Sequence, residues 1–495
     1  MESRQQGASE QRAGILGDPV LLAWIALGIG LRVAFAARKG WVLDEFHTDY
    51  HAQRATLGLL LEGLVQDNHP PLSFLLVRLA GLGLGTSDLA LRVPALLAGA
   101  VELLLVAALA RPFGRSAQRF AVALVVASSL HLDFASQVRM YAPFSLAITA
   151  ATLGAARCLR DERGGLLLGA SAWCAVHLHY HAVWFLGALT FASLGIAARG
   201  RRPMATARRI LVPLGIAALA SLPWVLLGLL PQLEHGLPPG GKDLGLLALG
   251  EAFLHLFVLN VRLGGDLGRI VFATTAMLAI VCAGASFLRQ LARAGERARL
   301  ANHALLLAAV GFLAPAAAFA AATLHARAGF TWHYVLPALP AVAVLAGSAS
   351  SWRPGRAALA STVLAGLALC GLNLASRGTE DFEGAAAWIA ARAQPGDAVI
   401  GVEYQPPVFP TGRPWDRYGV PLHGPPRLAT NGIHLVRPAD RIDHERIWLM
   451  ASSLPRSVDL VAQLEGTHRV EERREFGWRP VVELWVRREP RSDER

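Results

Sequence analysis

Long apolar runs that are nearly free of charge are the feature that most limits how this 495-residue chain can fold. Runs of 16 to 22 residues recur along its first three quarters. A helix needs roughly 20 apolar residues to cross a bilayer, so these runs predict a polytopic α-helical membrane protein with about 11 transmembrane helices. The runs lie at 20–37, 89–110, 119–134, 140–158, 165–180, 181–198, 209–230, 267–288, 303–324, 332–350 and 357–375.

The orientation follows from five short basic loops and one ambiguous run. The loops are 111–119, 157–163, 199–209, 289–299 and 352–356. Short basic loops are usually on the cytoplasmic side of a membrane. The five loops lie on the same side as the N-terminal tail only if the run 71–85 does not cross the membrane. We therefore predict that 71–85 lies on the outer surface of the cell (inner/plasma) membrane, with the N-terminus cytoplasmic. Ala34-Phe35-Ala36 also resembles a signal-peptide cleavage site, and cleavage there would leave the next residues outside as well.

The predicted organisation has three parts. These are a cytoplasmic tail at 1–19, a transmembrane domain at 20–375 whose first outer loop is 38–88, and an extracytoplasmic α/β domain at 376–495. In the α/β domain FEGAAAWIAARA and SVDLVAQLEG predict helices, and DAVIGV, RIWLMAS and PVVELWVRR predict strands. The Pro- and Gly-rich stretch 404–445 predicts a long loop. This domain is either a folding or docking appendage or an acceptor-binding module.

The charge balance does not favour a nucleic-acid partner. The 47 basic residues exceed the 36 acidic ones, but the arginines lie mainly in short loops between apolar runs, where the bilayer is the partner. The four cysteines have no CxxC spacing and lie within or beside apolar runs, which indicates neither a disulfide framework nor a metal site.

The stretch LDEFHTDYHAQ, at 43–53, crowds titratable groups just after the first apolar run. Asp44 and Glu45 form a carboxylate pair suited to general-base chemistry, or they cap the helix that follows them. His47 and His51 are four residues apart and share a helix face, a pattern that fits either a divalent metal site or two solvated histidines.

Other polar motifs collect on the same predicted outer side. DNHPPL contains His69, and HLHYHA contains His177, His179 and His181, whose alternating positions do not require them to converge. A guanidinium beside a phenol or imidazole can bind phosphate or serve as an interfacial anchor. Two motifs combine an arginine with such groups: SQVRMYAP contains Arg139 and Tyr141, and RAGFTWHYVLPALP contains Arg327, His333 and Tyr334.

Two charges deep inside predicted spans need an explanation. Arg32 and Glu102 have similar depths, and intramembrane charges usually face the bundle interior and pair. They are therefore either a structural pair or the working charges of a transport relay.

Taken in order, these motifs resemble the GT-C class of membrane glycosyltransferases, in the branch of protein O-mannosyltransferases and bacterial aminoarabinose transferases. The likeness covers about 20–375, and the tail resembles tails of bacterial members. That branch often has Arg-Tyr where this chain has His333-Tyr334. The motifs are Asp44-Glu45, His69-Pro70-Pro71-Leu72, Arg92-Val93-Pro94-Ala95, Arg139-Met140-Tyr141, the histidine-tyrosine break and HYVLPALP.

The resemblance implies transfer of a single hexose or pentose from a polyprenyl-phosphate donor to an extracytoplasmic acceptor, whether lipid, protein or cell-envelope glycan. Asp44 would be the general base and Glu45 would help to position it. A divalent metal at His47 and His51 is the one cofactor candidate. Competing functions are a multi-pass transporter or lipid flippase, and a catalytically inactive relative. The residues expected to bind substrate are His69, Arg139, Tyr141, His181, Arg327, His333 and Tyr334.

Overall fold

The computed structural model describes residues 17–160, 162–234, 246–258, 265–295, 297–324, 330–375, 380–402, 434–435, 444–451, 458–476 and 481–488. Its contacts divide the chain into two compact units. The helical unit comprises Met1–Ala37 and Arg54–Asn373, and the tail unit comprises Arg38–Gln53 and Leu374–Arg495. The segment 38–53, predicted as part of the first outer loop of the transmembrane domain, thus groups with the tail.

The helical unit is built almost entirely from apolar helices. Their bounds are α1 Pro19–Arg38, α3 Leu57–Val65, α4 Leu72–Leu84, α5 Asp88–Ala110, α6 Arg115–Val126, α7 Ser129–Phe134, α8 Tyr141–Leu159, α9 Gly165–Leu178, α10 Ala182–Ala198, α11 Pro203–Trp224, α12 Leu246–His255, α13 Gly265–Ala292, α14 Ala298–Ala308, α15 Leu339–Ser348 and α16 Arg353–Ala375. Helix α11 continues through the π-helical turn Val225–Leu229 into Leu230–Glu234. Helix α14 continues through Ala309–Leu313 into Ala314–Leu324, and the 3₁₀ segment Trp332–Ala338 leads into α15.

Within the described residues, eight helices are long and apolar enough to cross a membrane. Three shorter apolar helices, α4, α9 and α10, accompany them. The protein is therefore a multi-pass membrane protein, as predicted, whereas the predicted number of spans remains a prediction. Helix α4 has 13 residues, so it is about 20 Å long and shorter than the ~30 Å hydrocarbon layer.

The predicted span at 119–134 is wrong in detail, because the structure divides it into α6 and α7. Ser128 lies between them in an extended conformation, and its Oγ accepts a hydrogen bond from the backbone N–H of His131 at 3.0 Å. The same hydroxyl donates to the carbonyl oxygen of Leu256 at 2.6 Å. A serine cap inside an apolar run thus ends one helix and starts the next.

Two glycines let helices approach closely around α1. A Cβ on Gly28 would lie 2.7 Å from Val126 Cγ2, and a Cβ on Gly99 would lie 2.8 Å from Ala135 Cβ and 3.2 Å from Arg32 Nε. Cβ atoms essentially never approach another atom to less than 3.0 Å, so a larger residue at either position would force its neighbours to shift. Arg32 of α1 is buried, with its side chain against Gly99 of α5.

Arg32 and Glu102 are joined through a third residue. An Arg32 guanidinium nitrogen lies 2.7 Å from His131 Nδ1, and His131 Nε2 lies 2.6 Å from Glu102 Oε2. The hydroxyls of Ser145 and Thr149 donate to the other Glu102 oxygen at 2.7 and 2.8 Å. Both Glu102 and His131 are 0% exposed. This charge network ties α1, α5, α7 and α8 together, which is the behaviour of a structural pair.

The tail unit combines one sheet with three helices: α2 Leu43–Ala52, α17 Phe382–Ala390 and α18 Val458–Thr467. Phe46 of α2 makes an edge contact with Phe382 of α17, with ring centroids 5.7 Å apart, and also contacts Trp41 at 5.4 Å. These aromatic contacts explain why the segment around α2 groups with the tail. The C-terminal sheet region is present as predicted.

The strands of the sheet are β1 Ala398–Val402, β2 His434–Leu435, β3 Arg446–Ala451, β4 His468–Glu475 and β5 Val481–Arg487. They lie in the order β2-β1-β3-β5-β4. Strand β1 is parallel to β2 and β3, whereas β5 is antiparallel to β3 and β4. Edge strand β4, with the sequence HRVEERRE, was not predicted, and β2 falls within the predicted loop 404–445, most of which lies outside the described residues.

Candidate active site

Five aromatic and imidazole side chains meet at one end of the helical unit. We call this set the ring cluster: Tyr141, His179, His181, His333 and Tyr334. Tyr141 begins α8, the two histidines at 179 and 181 lie in the break between α9 and α10, and the last two lie in the 3₁₀ segment before α15. Three separate breaks in helices therefore build the cluster.

The rings are in direct contact. The Tyr334 ring centroid lies 4.2 Å from that of His181, 4.9 Å from that of His179 and 4.7 Å from that of His333. The Tyr141 ring lies 4.9 Å from His333, in an edge-to-face arrangement. Phe134, at the end of α7, closes one side by contacting Tyr141 at 4.6 Å. The ring cluster thus places phenol and imidazole groups in contact with one another and with the Phe134 ring.

Arg139 supplies a positive charge beside the ring cluster. Its guanidinium carbon lies 5.6 Å from the centre of the Tyr141 ring, within range of a cation–π interaction, and the residue is buried. A guanidinium nitrogen lies 3.5 Å from His69 Nε2, and His69 Nδ1 lies 3.2 Å from Asp67 Oδ2. A buried guanidinium next to phenol and imidazole groups suits a phosphate oxygen, because each of these groups can donate a hydrogen bond to it.

A hydrogen-bond chain positions the backbone at His69. The Trp224 indole donates to the Tyr180 hydroxyl at 3.1 Å, and that hydroxyl donates to Gln232 Oε1 at 2.6 Å. The Gln232 amide in turn donates to the carbonyl oxygens of Leu64 at 2.7 Å and of His69 at 3.3 Å. The π-helical turn after α11 lies between Trp224 and Gln232, a common feature near functional sites.

His179 is held neutral in the cluster. The backbone N–H of His181 donates to His179 Nδ1 at 3.1 Å, and the Phe144 ring stacks on the imidazole at 5.2 Å. Burial lowers the pKa of His179 well below its usual value, and His181, His69, His333 and Arg139 lower it further. Because Nδ1 accepts a hydrogen bond, the proton of the neutral ring sits on Nε2, which can serve as a donor.

The carboxylate pair lies in the tail unit, at the start of α2. Asp44 is exposed, whereas Glu45 is fully buried and its Oε2 accepts a hydrogen bond from the backbone N–H of Val42 at 3.0 Å. Glu45 therefore caps the helix, as one of the two sequence interpretations proposed. Its side chain fixes the first turn of α2, which carries Asp44.

His47 and His51 share one face of α2, as their spacing predicts. Their ring centroids are 4.9 Å apart, and both side chains are buried. Two adjacent imidazoles are a suitable start for a transition-metal or zinc site, which needs further ligands. The metal assignment stays a prediction.

Comparison with known proteins identifies the fold. Residues 68–226 match the family model described as dolichyl-phosphate-mannose-protein mannosyltransferase. The crystal structure of ArnT from Cupriavidus metallidurans in the apo state is similar, with a TM-score of 0.56 and 14% identity over 94% of this chain and 97% of that one. The chain has a GT-C fold. The ArnT structure bound to undecaprenyl phosphate aligns over the same shares of both chains, with a TM-score of 0.53 and 12% identity. No curated protein sequence matches the chain.

The predicted resemblance to GT-C proteins is thus confirmed, and the family match with the fold supports a membrane glycosyltransferase. The matched segment of the GT-C fold contains His69, Arg139, Tyr141 and His181, but neither Asp44 nor His333. In the structure Tyr141, His181, His333 and Tyr334 form part of the ring cluster, with Arg139 and His69 beside it. Arg327 lies outside the described residues.

Sequence reasoning left out several contributors to this site of the GT-C fold. His179 was noted but not assigned to substrate, because alternation along a helix break gives no direction for its side chain. Phe134 looked like an ordinary residue of an apolar run. Gln232 is a lone amide at the end of a long apolar helix, and that isolation among apolar residues is the one signal that could have identified it.

Proposed function

We propose that this protein transfers a single sugar from a polyprenyl-phosphate donor to an acceptor on the extracytoplasmic side of the membrane. The observation that carries the proposal is the buried Arg139 guanidinium beside the ring cluster, within a segment that matches a mannosyltransferase family. ArnT, which has a similar fold, has been crystallised bound to undecaprenyl phosphate, and a lipid phosphate is the ligand this chemistry favours.

In the proposed reaction the donor phosphate is the leaving group. As the bond between the anomeric carbon and the phosphate oxygen breaks, the electron pair and negative charge move to the phosphate. Arg139, Tyr141 and the Nε2–H of His179 supply donors that stabilise this charge, and His333 and Tyr334 lie in the same cluster. Arg327 is retained as a further phosphate ligand from the sequence alone.

The acceptor hydroxyl needs a base as it attacks the anomeric carbon. We assign this role to Asp44, whose exposed carboxylate would take the hydroxyl proton. Glu45 then has the positioning role, because its capping hydrogen bond fixes the turn that carries Asp44. The proposal places this chemistry outside the cytoplasm, where nucleotide sugars are absent and a lipid must deliver the activated sugar.

The test compares envelope glycans of the source organism carrying wild-type protein, Asp44→Asn, Arg139→Gln or a deletion of the gene. Both variants should be present at wild-type levels in the membrane and lack the same sugar as the deletion strain. Arg111→Gln, an exposed arginine in a predicted cytoplasmic loop, is the control and should retain that sugar.

A deletion strain that loses a sugar while both variants keep it would refute the assigned roles. A deletion strain with unchanged glycans but an altered lipid distribution across the membrane would favour the flippase alternative instead.

A further inference from the structure

A long groove opens between α9 and α11, on the opposite end of α9 from the ring cluster. It encloses about 1080 Å³ and is lined mainly by apolar side chains, including Leu166, Trp173, Val212 and Ile216. The mechanism proposed above uses none of these residues.

The length of the groove matches one leaflet of a bilayer. Its lining on α11 runs from Ala205 to Ala220, which is about 22 Å at ~1.5 Å per residue. One leaflet contributes about 15 Å of hydrocarbon, and the rest of the groove reaches the headgroup layer. A fatty acyl chain therefore fits along the groove without crossing the bilayer midplane.

The headgroup end of the groove is basic. Arg163, Arg208 and Arg209 line it, and all three side chains are exposed. Glu162 also lines this end, but its carboxylate accepts hydrogen bonds from Arg160 at 2.9 and 3.2 Å, so an arginine already offsets its charge. Guanidinium groups bind phosphate in a bidentate manner, and arginine-rich segments at this level attract anionic lipids.

We propose that this groove binds an anionic glycerophospholipid of the leaflet at the arginine end of α9. The phosphate contacts Arg163, Arg208 and Arg209, and one acyl chain lies against Leu166, Val212 and Ile216. A polyprenyl-phosphate donor does not belong here, because its phosphate site is proposed at the ring cluster, a helix length of about 21 Å away. The site is independent of the proposed reaction.

Native mass spectrometry of the detergent-purified protein tests this proposal, with phosphatidylglycerol as the probe and phosphatidylcholine as the zwitterionic comparison. The wild-type protein should retain more phosphatidylglycerol than phosphatidylcholine. Arg208→Gln/Arg209→Gln should reduce retention roughly tenfold, whereas Arg201→Gln/Arg202→Gln, just before α11 and outside the groove, should not.

A second pair of variants tests the apolar part of the groove. Ala170→Phe places a ring in the groove and should lower retention, whereas Ala218→Phe adds the same ring on a face of α11 that does not line it. Equal retention of both phospholipids, unchanged retention in the arginine variant, or equal effects of the two phenylalanines would each overturn the proposal. Displacement of phosphatidylglycerol by undecaprenyl phosphate in both wild type and Arg139→Gln would overturn it too, because the groove would then be a donor site.

Discussion

At the scale of single residues, Arg139 and His179 have different roles in the proposed phosphate site. Arg139 keeps a full charge next to the Tyr141 ring, whereas His179 offers a neutral N–H from a buried position. In the proposed site, a charged donor and a neutral donor would bind one phosphate without placing two cations in contact.

Replacing Arg139 with glutamine should weaken binding of undecaprenyl phosphate. A hydrogen bond to a charged group contributes about 1.5–3 kcal/mol, so the Kd should rise roughly tenfold to a hundredfold. Tryptophan fluorescence or native mass spectrometry of purified protein can measure this change. Arg111→Gln should bind as the wild type does, and an unchanged Kd in Arg139→Gln would remove Arg139 from the phosphate site.

His179 should make the fold sensitive to acid. Its pKa is lowered in the folded protein, so the unfolded chain takes up a proton first as the pH falls below the ordinary histidine pKa of ~6.5. The stability associated with the neutral ring is present above that pH and is lost below it. Between about pH 7.5 and about pH 5.5 the Tm of His179→Gln should therefore fall less than that of the wild type. Equal falls in Tm would show that the ring titrates freely.

The residues of the site differ in how far sequence could identify them. His69, Arg139 and Tyr141 stand out because they interrupt apolar runs in a recognisable order. The contribution of His179 depends on where its ring points, and that of Phe134 depends on which helix it packs against. Both are set by tertiary packing, which a local pattern does not record.

At the scale of elements, the short helix α7 links the buried charge network to the site. His131 on α7 contacts Arg32 and Glu102, and Phe134 at its end contacts Tyr141 and His333. Sequence patterns missed this helix because a serine cap within an apolar run carries little weight in a hydropathy profile. They missed β4 for the opposite reason, since its charged residues show no alternation.

Removing the charge of Glu102 should destabilise the helical unit. Glu102→Gln leaves Arg32 as a buried cation without its counter-charge, and breaking a buried pair costs about 3–5 kcal/mol. The Tm of the purified protein should fall clearly, and adding Arg32→Met should recover part of the loss. A Tm equal to that of the wild type, together with lost lipid or ion movement in liposomes, would favour the transport relay.

At the scale of the whole molecule, the predicted membrane topology can be tested by cysteine labelling. In spheroplasts of cells that carry Arg201→Cys, in a predicted cytoplasmic loop, the new cysteine should react with a membrane-impermeant maleimide only after permeabilisation. Gly466→Cys, on α18 of the predicted extracytoplasmic domain, should react in intact spheroplasts. A Cβ at this position would have no heavy atom within 4 Å, so the thiol should be accessible. The four native cysteines are buried or half-buried, so the background should be low. Labelling of both positions on the same side would contradict the predicted arrangement.

The outermost strand of the tail sheet has a consequence for behaviour in a crowded membrane. Strand β4 exposes nearly all of its side chains, most of them charged, and its pairing with β5 is interrupted between Val470 and Glu472. Charged side chains and a bulge at a sheet edge discourage a strand of another molecule from adding there. Neighbouring copies can therefore collide by their tails without polymerising through this edge, and we expect the isolated tail to resist fibril formation at high concentration.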